Sequence, residues 1–174
     1  MRNKLALSLA LAAGLWLPGA AFADAIAAAA MNAGNEIPAI ISDAQARFTA
    51  TVQADSIKYR LMFRGLTGDT LFAHIHVGQF FANGGVAVFL CNNTPAGPQP
   101  QACPTPGAGT ITGTITAADV IGPAGQGVDP GEFAALLQAI AQGEAYVNIH
   151  SSAFPGGEAR GQIIQIGVVP TSTP

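Results

Sequence analysis

Ala46-Arg-Phe-Thr-Ala-Thr-Val52, the turn residues Ala54-Asp-Ser56 and Ile57-Lys-Tyr-Arg-Leu-Met-Phe63 form the stretch that decides how the chain is read. Both runs alternate apolar and polar side chains by twos, the period that sets one face of a β-strand on a core and the other in water. Two such runs joined by a short polar turn make a β-hairpin. The same reading extends outward in both directions. Ala25 to Met31 is apolar and reads as a first strand, although its alanine run would equally suit a helix start, and Leu71 to Val77 follows the loop Gly65 to Thr70. Asn83-Gly-Gly85 turns into Val86 to Leu90, Thr110 to Thr116 alternates strictly, and Tyr146 to His150 and Ala159 to Val168 complete the series. About eight short antiparallel strands separated by turn signals define an all-β fold, a Greek-key β-sandwich or barrel. No segment repeats at a fixed period, which sets propellers and solenoids aside.

One helix interrupts the strands. Asp129-Pro-Gly-Glu132 has the order of a capping box, so the helix is expected to be capped by Asp129 and to have Pro130 at its first helical position. Phe133, Leu136, Leu137 and Ile140 then share a face, and Gly143 is placed to end it.

The N-terminus reads differently. Arg2 and Lys4 precede the apolar run Leu5 to Leu17, and Ala21-Phe-Ala23 is a small-x-small site. This is the layout of a secretory leader over residues 1–23, cut before Asp24. It leaves one β domain over 24–168, a tail over 169–174 and no membrane span, so the mature protein is expected in the periplasm or outside the cell. The net charge is −3, and Arg2 and Lys4 leave with the leader. Five scattered cations on an acidic chain give no footprint for nucleic acid or an anionic membrane. The two cysteines, Cys91 and Cys103, bracket a Pro- and Gly-rich loop, and in an oxidising compartment this pair is expected to form a disulfide.

All three histidines fall in strand-like runs. In Phe72-Ala-His-Ile-His-Val-Gly78 the aliphatic positions Ala73, Ile75 and Val77 share one face, leaving His74 and His76 on the other. In Ala145-Tyr-Val-Asn-Ile-His150 the pairing Val147 with Ile149 leaves Tyr146, Asn148 and His150 opposite. With the aliphatic faces on the core, all three imidazoles stand on the outer face of the sheet. Three neutral imidazoles meeting at one point suit Cu(I), Cu(II) or, less well, Zn(II). Each ring then needs its second nitrogen held, and Asn148 and Glu158 are candidates near His150 in sequence. No Ser, Cys or Asp has the local sequence of a nucleophile, and no glycine loop is placed to cradle phosphate.

Gly34-Asn-Glu-Ile-Pro38, Gly65-Leu66 leading into Ala73-His-Ile-His-Val-Gly78, Asn83-Gly84, and Ala145 to His150 with Gly157-Glu-Ala-Arg-Gly-Gln-Ile163 follow one another in an order that resembles the CHRD domain, named from chordin. The resemblance covers about Ala25 to Ile166. It implies a secreted β domain, found in bacterial exported proteins of unassigned function and in chordin, an extracellular binder of growth factors of the bone-morphogenetic class. A more distant likeness is to copper-zinc superoxide dismutases, Greek-key barrels that carry copper on the outside. On that comparison His74, His76 and His150 match three copper-binding histidines and Arg160 resembles the arginine facing the anion. The bridging histidine and zinc-ligand loop of those enzymes have no counterpart here.

Two readings of function follow. The first is an exported copper-binding protein using His74, His76 and His150. The second is a non-catalytic extracellular module for a protein or matrix partner, in which Phe80-Phe81, the loop between the cysteines and Phe154-Pro155 are apolar surfaces and the histidines are structural.

Overall fold

The computed structural model describes residues 24–169. The expected leader over 1–23 and all but the first residue of the expected tail lie outside them. The described chain is all-β: β1 (Ala25–Asn32), β2 (Gln45–Val52), β3 (Ile57–Arg64), β4 (Thr70–Val77), β5 (Gly85–Asn92), β6 (Gly109–Ile115), helix α1 (Phe133–Ala141), β7 (Ala145–Ser151), β8 (Ala159–Gln162) and β9 (Ile164–Val168).

The nine strands form one antiparallel sheet in the order β5-β4-β7-β8-β1-β2-β3-β6, with β9 also paired to β1. The sheet curls until β5 and β6 face each other across a seam, making a nearly closed barrel. Around that seam β3, β6, β5 and β4 lie side by side, a Greek-key arrangement. The central hairpin has the expected register, with Phe48 opposite Leu61 and Ala50 opposite Tyr59. Ile57, Tyr59, Leu61 and Phe63 point into the barrel while Lys58, Arg60, Met62 and Arg64 point out, as the alternation requires.

The seam is closed by side chains. Tyr59 Oη donates to the Leu90 carbonyl of β5 at 3.0 Å, and the Gln101 side-chain amide reaches both Leu90 O and Thr112 O of β6 at 3.1 Å. Gln101 sits in the loop that the Cys91–Cys103 disulfide ties back onto β5, so the expected disulfide is present and positions the residue that bridges the two edges.

Three expectations are corrected. The helix begins at Phe133, three residues later than the capping pattern indicates. Asp129 to Glu132 instead form a turn in which Glu132 N–H donates to Asp129 O at 2.9 Å and Gly131 takes φ +85°. Proline followed by a left-handed glycine is the preference of a type II turn, and it outcompetes the capping box. The helix ends as expected at Gly143, with Glu144 N–H on Ala139 O and Gly143 N–H on Ile140 O.

The last strand is two. It breaks at Ile163, whose side chain is fully buried and whose N–H donates to Ala145 O; before it β8 pairs with β7, and after it β9 pairs with β1 alone. The cations are not scattered: Arg47 of β2 and Lys58, Arg60 and Arg64 of β3 all project from the outer face of the central hairpin.

Candidate metal centre

β4 and β7 are adjacent, and their register sets Phe72 opposite His150, His74 opposite Asn148 and His76 opposite Tyr146. Ala73, Ile75, Val147 and Ile149 are fully buried in the barrel, so parity holds and the three imidazoles stand on the outer face. That face is not open to solvent. His74, His76 and His150 are 5%, 9% and 7% exposed, because loops from three parts of the chain fold over it.

The loop after β4 supplies the Gly84 carbonyl, 3.0 Å from His76 Nδ1. A Cβ on Gly84 would collide with the Val77 carbonyl, so only glycine brings the backbone this close. The loop after β7 supplies the Pro155 carbonyl, 2.9 Å from His150 Nδ1. Two register shifts in β5, at Leu90 and at Ala87, set Phe89 beside His74 and Val86 beside His76. Phe72 stacks on His74 at 4.8 Å between ring centroids and Phe89 meets it edge-on at 4.1 Å.

Burial pushes all three imidazoles well below their ordinary pKa, His74 to about 3 and His76 and His150 each to about 4. For His74 the neighbouring rings add to the effect, and for the other two the carbonyl bonds partly oppose it. The rings are therefore neutral at pH 7. A carbonyl only accepts, so Nδ1 of His76 and of His150 carries the proton and each Nε2 presents a bare lone pair.

Those lone pairs have no protein partner. The buried side-chain polar atoms without a hydrogen bond among the described residues are His74 Nδ1 and Nε2, His76 Nε2, His150 Nε2, Asn148 Oδ1 and Thr70 Oγ1. Orphaned buried atoms cost about 1–3 kcal/mol each, and four from three touching rings mark a site built to hold something. One nitrogen from each ring lies within 4.8 Å of the other two. Three points that close share a centre at most about 2.8 Å from each, against zinc–nitrogen bonds of about 2.0–2.1 Å, so a contraction of under about 1 Å would complete a three-coordinate site. The residues fit a metal ion.

The other expected residues divide. Asn148 donates from Nδ2 to Glu36 Oε1 beside the rings. Glu158 is fully buried but does not hold a histidine; its carboxylate accepts from Thr67 N–H at 2.9 and 3.0 Å and from Thr67 Oγ1 at 2.8 Å. Arg160 does not face an open anion site. It is 3% exposed, its guanidinium lies 3.4 Å from the Tyr146 ring centroid, and its N–H groups are directed to Asn83 Oδ1 at 3.0 Å and to the Ala82 and Gln79 carbonyls. Tyr146 in turn stacks on His76 with centroids 4.6 Å apart and planes 6° apart. Arg160 thus pins the loop over the histidines and forms a column with Tyr146 and His76.

Glu36 is the residue the sequence undersold. Burial raises its carboxyl to about 7, with the Arg160 charge and the bonds from Ile37 N–H and Asn148 acting against the rise. Its place in the motif Gly34-Asn-Glu-Ile-Pro38 was the available signal. The Gly84 and Pro155 carbonyls, like every backbone acceptor, had none.

A nearly closed antiparallel barrel with a loop-covered polar cluster on its outer face defines a class of compact β-barrel domains. The CHRD domain model matches residues 27–163, and the chain belongs to the CHRD family. No curated protein and no solved structure matches it.

Proposed function

We propose that this chain is an exported copper-binding protein whose ion is held by His74, His76 and His150. The observation that carries the reading is three buried imidazoles that each hold an unpartnered nitrogen and that bring one nitrogen apiece within 4.8 Å of one another. Copper is favoured over zinc by the donor set. Three neutral imidazoles with no thiolate or carboxylate among them, enclosed by Phe72, Phe89 and Tyr146, offer little compensation for a doubly charged ion. Cu(I), singly charged and content with three ligands, suits that setting. When bound, copper would supply one-electron redox capacity. The chain's own residues hold the two ring tautomers, through Gly84 and Pro155, and exclude water with the covering loops. Export is supported by the disulfide and by the extracellular setting of CHRD domains.

The test is a titration of metal-free protein with Cu(I), Cu(II) and Zn(II) in the presence of competing chelators. The expected result is one Cu(I) per chain, bound more tightly than Zn(II), with binding lost in His76→Ala and in His150→Ala. Absence of stoichiometric binding, or equal binding by both variants, overturns the proposal.

A second reading, a protein-binding module, is favoured by one loop. Phe80 and Phe81 are 58% and 88% exposed, and Phe81 holds a left-handed φ of 61°. That conformation is costly for a bulky residue and presents an apolar pair at the rim of the covered cluster. A partner that binds the triple histidine-to-alanine variant undiminished but not Phe80→Ser/Phe81→Ser would favour this reading over the first.

A further inference from the structure

The outer face of β2, β3 and β6 is a grid of cations and hydroxyls. Along β3, Lys58, Arg60, Met62 and Arg64 point outward, spaced about 7 Å apart by the strand repeat. Register places Thr51 and Thr114 on either side of Lys58, Thr49 and Thr112 beside Arg60, Arg47 and Thr110 beside Met62, and Gln45 beside Arg64. Four of the five cations among the described residues are therefore on this one face, and none of the three strands contains an acidic residue. Two shallow depressions lie in it, one bounded by Arg47, Met62 and Arg64 and one by Thr49, Lys58 and Arg60. In a chain with net charge −3 this segregation leaves a basic surface that the rest of the molecule does not neutralise.

We propose that this face binds an acidic polysaccharide, with the four cations on its carboxylate or sulfate groups and the threonines on its ring hydroxyls. The charge calls for a polyanion, and the neighbouring side chains choose among them. Phe48, Tyr59 and Phe63 all point into the barrel, so no aromatic stands on the face to stack on the bases of a single-stranded nucleic acid. A bilayer wants apolar anchors among the cations, and within β2, β3 and β6 only Met62 interrupts the grid, the exposed Ile26, Ile164 and Ile166 standing at its margin. Hydroxyl-rich and cationic, this face of the sheet matches an extended chain of charged sugars. The proposal does not depend on the metal centre, which lies on β4 and β7.

The test uses the full chain on immobilised alginate, dextran sulfate and neutral dextran, with phosphatidylglycerol vesicles as a further arm. The expected result is retention on both acidic polysaccharides at low salt, no retention on neutral dextran, and release near 1 M salt, where screening shortens to about 3 Å. The variant Arg47→Gln/Lys58→Gln/Arg60→Gln/Arg64→Gln, checked for an unchanged near-UV spectrum, is expected to bind at least about tenfold more weakly. Retention no better than on neutral dextran, undiminished binding by the variant, or binding to the vesicles and not to the polysaccharides overturns the proposal; the last result would move the face to a membrane, with the exposed Ile164, Ile166 and Val168 of β9 as its anchors.

Discussion

His74 concentrates the tension in the site: it is 5% exposed, both ring nitrogens lack partners, and Phe72 and Phe89 crowd it. A side chain kept for packing alone would not be a histidine. His74→Leu, close in volume, is expected to leave the metal-free protein as stable or more stable by about 1–2 kcal/mol, while reducing the rise in melting temperature on adding Cu(I). Denaturant unfolding with and without the ion checks this, and a loss of several kcal/mol in the metal-free state would count against it. The lowered pKa values have a sign. Between the ordinary histidine value near 6.5 and about 4, the unfolded chain binds more protons than the folded one, so the three rings make stability fall as pH drops through that window. Copper affinity should stay nearly flat from pH 7 to about 5, because no proton has to leave the rings. Glu36 acts in the opposite direction. Its carboxyl is raised from 4.5 to about 7, so the folded state holds the extra proton and stability falls as pH rises across that interval. Glu36→Gln should therefore gain stability relative to the parent at pH 8 and none at pH 4, measured by urea unfolding at both values.

At the scale of elements, the strands were legible because alternation is a local property. Ile57 to Phe63 alternates so cleanly that the register with Ala46 to Val52 follows from the turn between them. Asp129-Pro-Gly-Glu132 misled because its residues serve a type II turn as well as a helix start, and the Gly131 backbone decides between them. The break at Ile163 depends on β7 beginning at Ala145, a tertiary fact with no local signal. Cys91 and Cys103 were legible as a pair, but the role of Gln101 between them was not. Its bridge between Leu90 and Thr112 exists only because the barrel nearly closes. Reducing the disulfide, which spans 12 positions, should cost about 3 kcal/mol, and Gln101→Ala about 1–2 kcal/mol. The two effects should be less than additive, since the tether is what presents Gln101 to the seam; a double-mutant cycle with Cys91→Ser/Cys103→Ser and no coupling would contradict this.

For the molecule as a whole, the two faces of the sheet have separate uses. The barrel interior takes the apolar half of every strand but β9, and the outside divides into a covered region over β4 and β7 and an open one over β2, β3 and β6. Parity placed His74, His76 and His150 outside, but it could not show that they are buried there. That follows from loops around Glu36, Gly84 and Pro155, which sequence distance separates and the topology brings together. Composition likewise counted the cations without their arrangement. The proposal that the three histidines share one ion is tested most directly by X-ray absorption at the copper edge on protein loaded with one Cu(I) per chain. The account predicts three imidazole nitrogens and no sulfur in the first shell, reduced to two in His74→Leu. A spectrum with sulfur ligands, or one unchanged by that substitution, would contradict it.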